Sequence, residues 1–472
     1  MPLIQPVAVR PAADVGPVHF IAIGGAGMSG IAAMYADLGV VVTGSDQADS
    51  EALRALSAHG ITAYIGHDPR QLGDARTVVV SSAVRETNPE LVEARRRGLT
   101  VWHRSAALAA LMLGREGVAV TGTHGKTTTS AMTAVLLEQS GEDPSYVIGS
   151  PLTSSGASSH LGHGTAFVIE ADESDGSFLQ YPAQVVVITN VEADHLDNWG
   201  TPQAYADGFV RLALGDQVQT VVISADDPGA RQITEQLRAA GARLITFGES
   251  AGADVRLLEP RFEGGRAHAT LVTADDSGPL DLVVPGRYNL HNAAAAYAAG
   301  RALGIDGARL REAASAFDGT ARRFQRIASV GDVEIIDDYA HHPTEVAATL
   351  TAAQVLAGQR RLVACFQPHL FTRTRDFAVE FGEALALADE VLVLGIYPAR
   401  EDPIPGVTGR LVAEAAARAK DPSHVRYVES VGEAAPLLAV LVRPGDVVVT
   451  LGAGDVTRVG PALAALLSGA AG

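Results

Sequence analysis

The stretch GVAVTGTHGKTTTSAMTAVLLEQSG, Gly117 to Gly141, decides the fold. A short β-branched run leads into a glycine turn, and an apolar helix pattern follows it at once. That is the strand–loop–helix unit of a parallel α/β sheet. In such a unit the loop's backbone N–H groups and the start of the helix face the same anion. Lys126 follows Gly125 and Thr127 follows Lys126, the order in which a lysine reaches β- and γ-phosphates and a hydroxyl ligates magnesium. The loop is a variant, because the glycine expected five positions before Gly125 is Val120. Gly122, Thr123, His124, Gly125, Lys126, Thr127 and Thr128 are the expected phosphate contacts.

The same alternation extends in both directions. Upstream, VHFIAIGGAGMSGIAAMYADLG (Val18–Gly39) is another strand, glycine turn and helix, followed by VVVTGSD, ITAYIG and TVVVSSA as strands and NPELVEARRRG as a helix. Downstream, FVIEADE, VVVITNVEADH, TVVISADDP and RLITFG continue as strands. VRLLEP, AHATLVT and LDLVVPG read as antiparallel strands appended to that sheet, and helices are expected over 290–303 and 308–317. From Arg322, IASVGDVEIIDDYA suggests two strands turning at Gly331–Asp332, then RLVACFQP, EVLVLGIYP, VRYVES and DVVVTLGAG alternate with helices. The reading is α/β throughout, as three consecutive domains at 1–112, 113–321 and 322–472.

Composition limits the partners. The 472 residues carry a net charge of −18, so the chain repels nucleic acid and anionic membranes, and small molecules held by local donors are the expected ligands. A single cysteine, Cys365, excludes an intramolecular disulfide framework. Neither a signal-peptide pattern nor an apolar run of about 18 residues is present, and a soluble, cytoplasmic protein is expected. Only two lysines occur, Lys126 and Lys420, against abundant arginine.

Two acidic segments, Glu170-Ala-Asp172-Glu173-Ser-Asp175 and Asn190-Val-Glu-Ala-Asp194-His195-Leu-Asp197, close strands of the second domain. Strand carboxyl ends are where open parallel sheets place ligands, and one carboxylate beside Thr127 would suit magnesium. Most of the seven carboxylates are expected to be solvated loop residues. The first glycine turn, Gly25-x-Gly27-x-x-Gly30 with Ser45–Asp46 ending the next strand, is by itself a dinucleotide fingerprint, and an NAD-dependent oxidoreductase is the rival reading. That rival leaves the second glycine loop without a task.

Taken together, GTHGKTTT, EADESDGSFL and NVEADHLD resemble the central-domain motifs of the Mur ligase family. The resemblance runs roughly from His19 to Asp455. It implies a Rossmann-like N-terminal domain, a central P-loop ATPase-like domain with added antiparallel strands, and a Rossmann-like C-terminal domain. It implies ATP as co-substrate and Mg2+, with two ions expected and Thr127, Glu173 and His195 as their ligands, the histidine alternatively holding an acyl phosphate. Other family members carry a carbamylated lysine after that histidine; no lysine lies between Lys126 and Lys420, so none is expected here. The branch that adds L-alanine to UDP-N-acetylmuramate is similar in lacking it.

By the same resemblance the first glycine turn (Gly25, Ala26, Gly27, Met28, Ser29, Gly30) cradles the UDP diphosphate. Ser45, Asp46, His67, Ser82, Asn88, His103 and Arg104 fall in segments similar to the sugar-nucleotide pocket, although any one of them could equally be a loop-structural residue. Tyr288, Asn289, Asn292, Arg323 and Asp338 go to ATP. Tyr288 stands where the family usually has histidine, and its flat ring can still stack on adenine. Tyr339, His341, His369 and Arg373 go to the amino acid, an arginine fork suiting its carboxylate. His341 is open to a second role, as general base. Leu370–Phe371 replaces the usual Arg–Tyr, which leaves the role of position 370 in doubt. A murein-peptide recycling ligase acting on the same nucleotide sugar is the nearest alternative, and the small residues of Gly25-Ala26-Gly27-Met28 argue against it.

Overall fold

A computed structural model describes residues 3–25, 27–399 and 401–469. Its strands form three sheets. The first is wholly parallel, in the spatial order Thr62–Ile65, Val42–Asp46, Val18–Ile21, Thr77–Val80, Thr100–His103. Both directions of winding start from Val18–Ile21, so the carboxyl end of that strand lies at the switch point, where open sheets take their ligands.

The second sheet has ten strands, and Glu116–Thr121 lies between Val185–Ile188 and Ala166–Glu170, parallel to both. These three strands are buried on both faces, which is why they read as unbroken apolar runs and not as alternating ones. The strand ends carrying the glycine loop and both acidic segments are thereby adjacent. Beyond Val185–Ile188 the sheet continues through Thr220–Ser224, Leu244–Gly248, Val255–Glu263, Arg266–Val272 and Ser277–Leu282.

One expectation needs correction here. Val255–Glu263 joins Leu244–Gly248 in parallel, with Phe247 opposite Val255. The short return is held by carboxylates: Asp226 accepts the N–H groups of Glu249 and Ser250, and Asp254 accepts that of Thr246. A loop closed this way can bring the chain back in the same direction without a crossover helix. The helices beyond begin and end slightly earlier than expected, at Arg287–Ala302 and Gly307–Ala313, with a 3-10 turn at Ala314–Ala316.

The third sheet runs Gln325–Val330, Val333–Asp338, Val447–Leu451, Leu362–Phe366, Glu390–Leu394, Val425–Val428, parallel except for its antiparallel first pair. Gly331 (φ 52) and Asp332 (φ 62) make the expected turn, both with the positive φ that a two-residue hairpin demands. Apolar clusters cover both faces of this sheet, one around Phe366 and Phe381 and the other around Leu392 and Leu438.

By contacts the chain forms two compact units. One holds the chain up to Glu259 with Ala269–Asp281 and His291–Phe317, the other Pro260–His268, Leu282–Leu290 and the chain from Asp318 on. In the first unit a continuous apolar cluster, from Phe20 and Tyr35 through Trp102 and Met112 to Phe178 and Phe209, serves the first two sheets. No helix among the described residues is long and apolar enough to cross a membrane.

Candidate active site

The loop after Glu116–Thr121 owes its shape to glycine. Gly122 sits at φ 132, and a Cβ there would run into the Thr189 side chain and lie 3.0 Å from the backbone of Asn190. Gly125, at φ 81, caps the helix Lys126–Gln139, whose residues from Thr127 to Leu137 are all buried. The next strand end pins the loop. Asn190 accepts the His124 N–H at 2.8 Å and donates to the His124 carbonyl at 2.9 Å, and the Thr123 hydroxyl donates to the Glu192 carbonyl at 2.8 Å.

Lys126 lies folded over this loop. Its ammonium donates to the carbonyls of Gly122 (2.6 Å) and Thr123 (3.0 Å) and stands 2.9 Å from Glu173. Burial pushes the ammonium's pKa down, but the charges of Glu173, Asp172 and Glu170 outweigh it, and the net shift is upward. Glu173 is fully buried. Its pKa is pushed up to about 7, first by burial and then by Asp172, with Lys126 opposing. Asp172 goes the other way: burial would raise it, but Lys126, the Ser174 N–H, Arg104 and His195 hold it below the usual range.

Around Glu173 the strand ends converge as expected. Thr127 donates its hydroxyl to Glu170 at 3.0 Å, and His195 Nε2 lies 3.8 Å from Glu173. His195 has φ 52, a conformation a histidine adopts rarely and mostly where surroundings impose it. The donors gathered here, a hydroxyl and the carboxylates of Glu170 and Glu173 with one imidazole, are the hard oxygen-rich set that magnesium takes. Tyr205 was missed in the sequence. Its buried hydroxyl donates to Glu173 at 3.2 Å and lies 3.0 Å from the Thr123 hydroxyl, while Trp199 Nε1 donates to the Glu173 carbonyl at 2.9 Å. An aromatic on an amphipathic helix (Pro202–Ala213) reads as core, and nothing in its spacing marks the hydroxyl. Asn292 accepts from Thr129 at 3.1 Å, which brings the helix Arg287–Ala302 against the loop helix.

The first-domain residues fall into two groups, apart from Ala26, which lies outside the described residues. At the glycine turn, Gly24 donates to Asp46 at 3.0 Å, Gly27 (φ 80) leads into the helix Met28–Asp37 holding Met28, Ser29 and Gly30, and Gly25 accepts the Met28 N–H. Beside it, Ser45 and His67 meet at 2.9 Å over Glu90, a fully buried carboxylate the sequence did not single out. The second group faces the central acidic strand end. Ser82 donates to Asp175 at 2.9 Å and lies 3.1 Å from His103, and Arg104 stands 3.9 Å from Asp172. Burial, with Arg104 adding, pushes His103 down to about 4 against the pull of Asp175. Asn88 is elsewhere engaged: its carbonyl oxygen caps the helix Pro89–Arg96 by accepting from Glu90 and Leu91.

In the second compact unit the rings of the residues expected at the amino acid lie side by side. Arg322 and Arg323 both stack on Tyr339 at 4.8 and 5.0 Å, Tyr339 meets His341 edge-on at 5.1 Å, and His341 meets His369 at 5.5 Å. Burial pushes His341 down to about 3, with the charges of Arg373, His369 and Arg323 adding and Glu345 opposing. Arg373 itself is buried. Leu370 stands at φ 68 where the helix Phe371–Asp376 begins, so its backbone and not only its side chain is special. Asp338 is buried, accepts the N–H groups of Phe324 and Ala340, and is pushed up to about 6 by burial despite Arg323. Tyr288 feels both Asp338 and Arg323, and burial raises its phenol pKa. Asn289 donates its amide to the Pro285 carbonyl at 2.6 Å.

A lysine-bearing glycine loop opening a helix, set against buried carboxylates on neighbouring parallel strands, defines a phosphate-handling α/β enzyme. Family models match nearly end to end: the Mur ligase family catalytic domain over residues 17–116, the Mur ligase middle domain over 120–300 and the Mur ligase glutamate ligase domain over 322–454. The chain is 62% identical to the UDP-N-acetylmuramate–L-alanine ligase of Cutibacterium acnes over all of both chains. It is 52% identical to that of Kineococcus radiotolerans over 98% of each. Among solved structures it resembles the UDP-N-acetylmuramate–alanine ligase of Thermotoga maritima, with a TM-score of 0.80 at 28% identity over 96% of this chain and 99% of that one. A murein peptide ligase from Psychrobacter arcticus shares the fold, with a TM-score of 0.69 at 24% identity over 96% of this chain and 99% of that one. The chain belongs to the Mur ligase family.

Proposed function

We propose that the enzyme joins L-alanine to the lactyl carboxylate of UDP-N-acetylmuramate, converting ATP to ADP and phosphate, as a step of peptidoglycan precursor synthesis in the cytoplasm. A carboxylate is a poor acylating agent because hydroxide or oxide is a poor leaving group. Transfer of the γ-phosphoryl group to the lactyl carboxylate gives an acyl phosphate; attack by the alanine amine then expels phosphate and forms the amide. The carrying observation is Lys126 poised over the loop of Gly122 and Thr123 with Glu173 2.9 Å away.

In this reading Lys126 neutralises the transferring phosphoryl group, and the loop's N–H groups hold its oxygens. Thr127, Glu173 and His195, with Glu170, would hold magnesium, which when bound neutralises phosphate charge. Tyr288, Asn289, Asn292, Arg323 and Asp338 serve ATP. The first glycine turn with Ser45, Asp46, His67, Ser82, Asn88, His103 and Arg104 serves the nucleotide sugar, and Tyr339, His341, His369 and Arg373 the amino acid. His341 lies 3.1 Å from the Tyr339 carbonyl, which only accepts, so Nδ1 carries the proton and Nε2 a lone pair. A group held at about 3 is too weak a base for an ammonium, so His341 positions substrate. Domain boundaries at 112/113 and 321/322 go with this assignment.

The test is a four-component phosphate-release assay with ATP, magnesium, UDP-N-acetylmuramate and L-alanine. Release requires every component, and omission of any one abolishes it. Reduction of NAD followed in the near ultraviolet, with no phosphate release, would overturn the reading in favour of an oxidoreductase.

A further inference from the structure

Under the first sheet lies a buried polar cluster that the phosphoryl chemistry does not use. Glu90 and Ser45 are fully buried, and His67 is about one-fifth exposed. Ser45 donates its hydroxyl to Glu90 Oε2, and His67 Nδ1 lies 2.9 Å from Ser45 Oγ and 3.1 Å from Glu90 Oε2. On the other side, the buried His19 places Nε2 3.5 Å from Glu90 Oε1, with its Nδ1 2.8 Å from Thr43 Oγ1.

The proton count fixes His67. Ser45 has one proton and gives it to Glu90, so toward His67 its oxygen can only accept. An ionised carboxylate only accepts as well. Burial would neutralise Glu90, but the hydroxyl of Ser45 and the nearby His19 outweigh it, and the net shift of its pKa is downward. Both neighbours of Nδ1 being acceptors, Nδ1 carries the proton. With that single proton on the ring, Nε2 is a lone pair, and among the described residues it makes no hydrogen bond.

Position says what that lone pair meets. Asp46 ends the central of three neighbouring strands. Its side chain accepts the Gly24 N–H at the first glycine turn and its carbonyl accepts the Gly66 N–H, next to His67, at 2.7 Å. Adjacent strands are about 4.8 Å apart, so His67, two strands over, stands about 10 Å from the turn. That is roughly the span from a diphosphate to its base.

We propose that Glu90 is a positioning residue that holds His67 in its Nδ1–H form, so that Nε2 accepts a hydrogen bond from the imide N–H of a uracil base and disfavours cytosine, whose N3 is itself an acceptor. The proposal rests on the assignment of the first glycine turn to a nucleotide sugar. Facing a cytosine, two lone pairs would confront each other in a partly desolvated pocket, and an unpaired polar group there is strongly disfavoured.

The experiment measures binding of UDP and of CDP to the intact enzyme and to Glu90→Gln by calorimetry, alongside steady-state kinetics. The wild type binds UDP at least tenfold more tightly than CDP. In Glu90→Gln the amide donates to Nδ1, the proton moves to Nε2, and the UDP/CDP ratio falls at least tenfold. KM for the nucleotide sugar rises by a similar factor, while kcat at saturation and KM for ATP stay within about twofold. Nitrogen-15 spectra of labelled histidine, with His67 assigned by its loss in His67→Gln, show the proton on Nδ1 in the wild type. A wild type that binds both nucleotides equally, a ratio unchanged in Glu90→Gln, or a proton on Nε2 of the wild type overturns the proposal. Should Glu90→Gln not fold, the wild-type ratio and spectrum decide. Absence of ligase turnover with the UDP preference intact would sink the assigned reaction and leave the base reading standing.

Discussion

At the residue scale, two buried ionisable groups carry distinct expectations. Lys126 is the only lysine or arginine on the phosphate loop, so Lys126→Ala removes a charge that the transferring phosphoryl group needs and takes from the Glu173 carboxylate its nearest cation. The expected loss in kcat/KM is about 3 kcal/mol, roughly a hundredfold or more; phosphate release within tenfold of wild type would take the loop out of the mechanism. Asp338 makes a pH prediction. Its folded value of about 6 lies above the ordinary 3.8, so the folded state binds an extra proton between those values. Its contribution to stability is therefore greatest below 3.8 and lost as pH rises through 6. Asn at 338 does not titrate. The stability of wild type relative to Asp338→Asn should rise by about 1 kcal/mol between pH 7 and pH 5. Urea unfolding of both proteins at the two pH values checks this, and a difference that shrinks toward pH 5 contradicts it.

At the scale of elements, what the sequence disclosed was what repeats with the period of a strand or a helix. The run Val118–Thr121 announced a strand, and the run's end at Gly122 announced the loop. What stayed hidden depends on long-range approach. Tyr205 reaches Glu173 across 32 positions and Glu90 reaches Ser45 across 45, and neither spacing has any local signature. The parallel return of Val255–Glu263 was hidden for a related reason, since the distant Asp226 closes it together with the turn's own Asp254. Gly122 tests the element directly. Gly122→Ala meets both a strained φ of 132 and the neighbouring strand end at Thr189 and Asn190, whereas Gly241 (φ 81) has open space where a Cβ would sit. Gly122→Ala should cost about 3 kcal/mol in urea unfolding, and Gly241→Ala only the left-handed penalty of about 1 kcal/mol. Equal costs would mean that the loop is not tightly apposed to that strand end.

At the scale of the molecule, the residues proposed for the two half-reactions are distributed over two compact units. Lys126, Thr127, Glu173, His195 and the first glycine turn all belong to one unit, and Tyr339, His341, His369 and Arg373 to the other. The first set offers the phosphate loop, the carboxylate cluster and the segments proposed for the nucleotide sugar, while of the residues proposed for ATP only Asn292 shares its unit and Tyr288, Asn289, Arg323 and Asp338 belong to the other. The second set suits the incoming amino acid, because a buried arginine can fork a carboxylate while a His341 whose pKa burial holds low avoids repelling the ammonium. The two half-reactions should therefore separate by mutation. Acyl phosphate formation that reverses on the enzyme moves an oxygen-18 label in ATP from the β–γ bridge to a non-bridging β position, and it needs the nucleotide sugar but not alanine. Arg373→Ala should keep that scrambling within about threefold of wild type while amide formation falls by a factor of about a hundred, the loss of a buried charge-assisted pair. Lys126→Ala should lose both. If Arg373→Ala stops the scrambling as well, the arginine acts on the phosphoryl step, and its assignment to the amino acid fails.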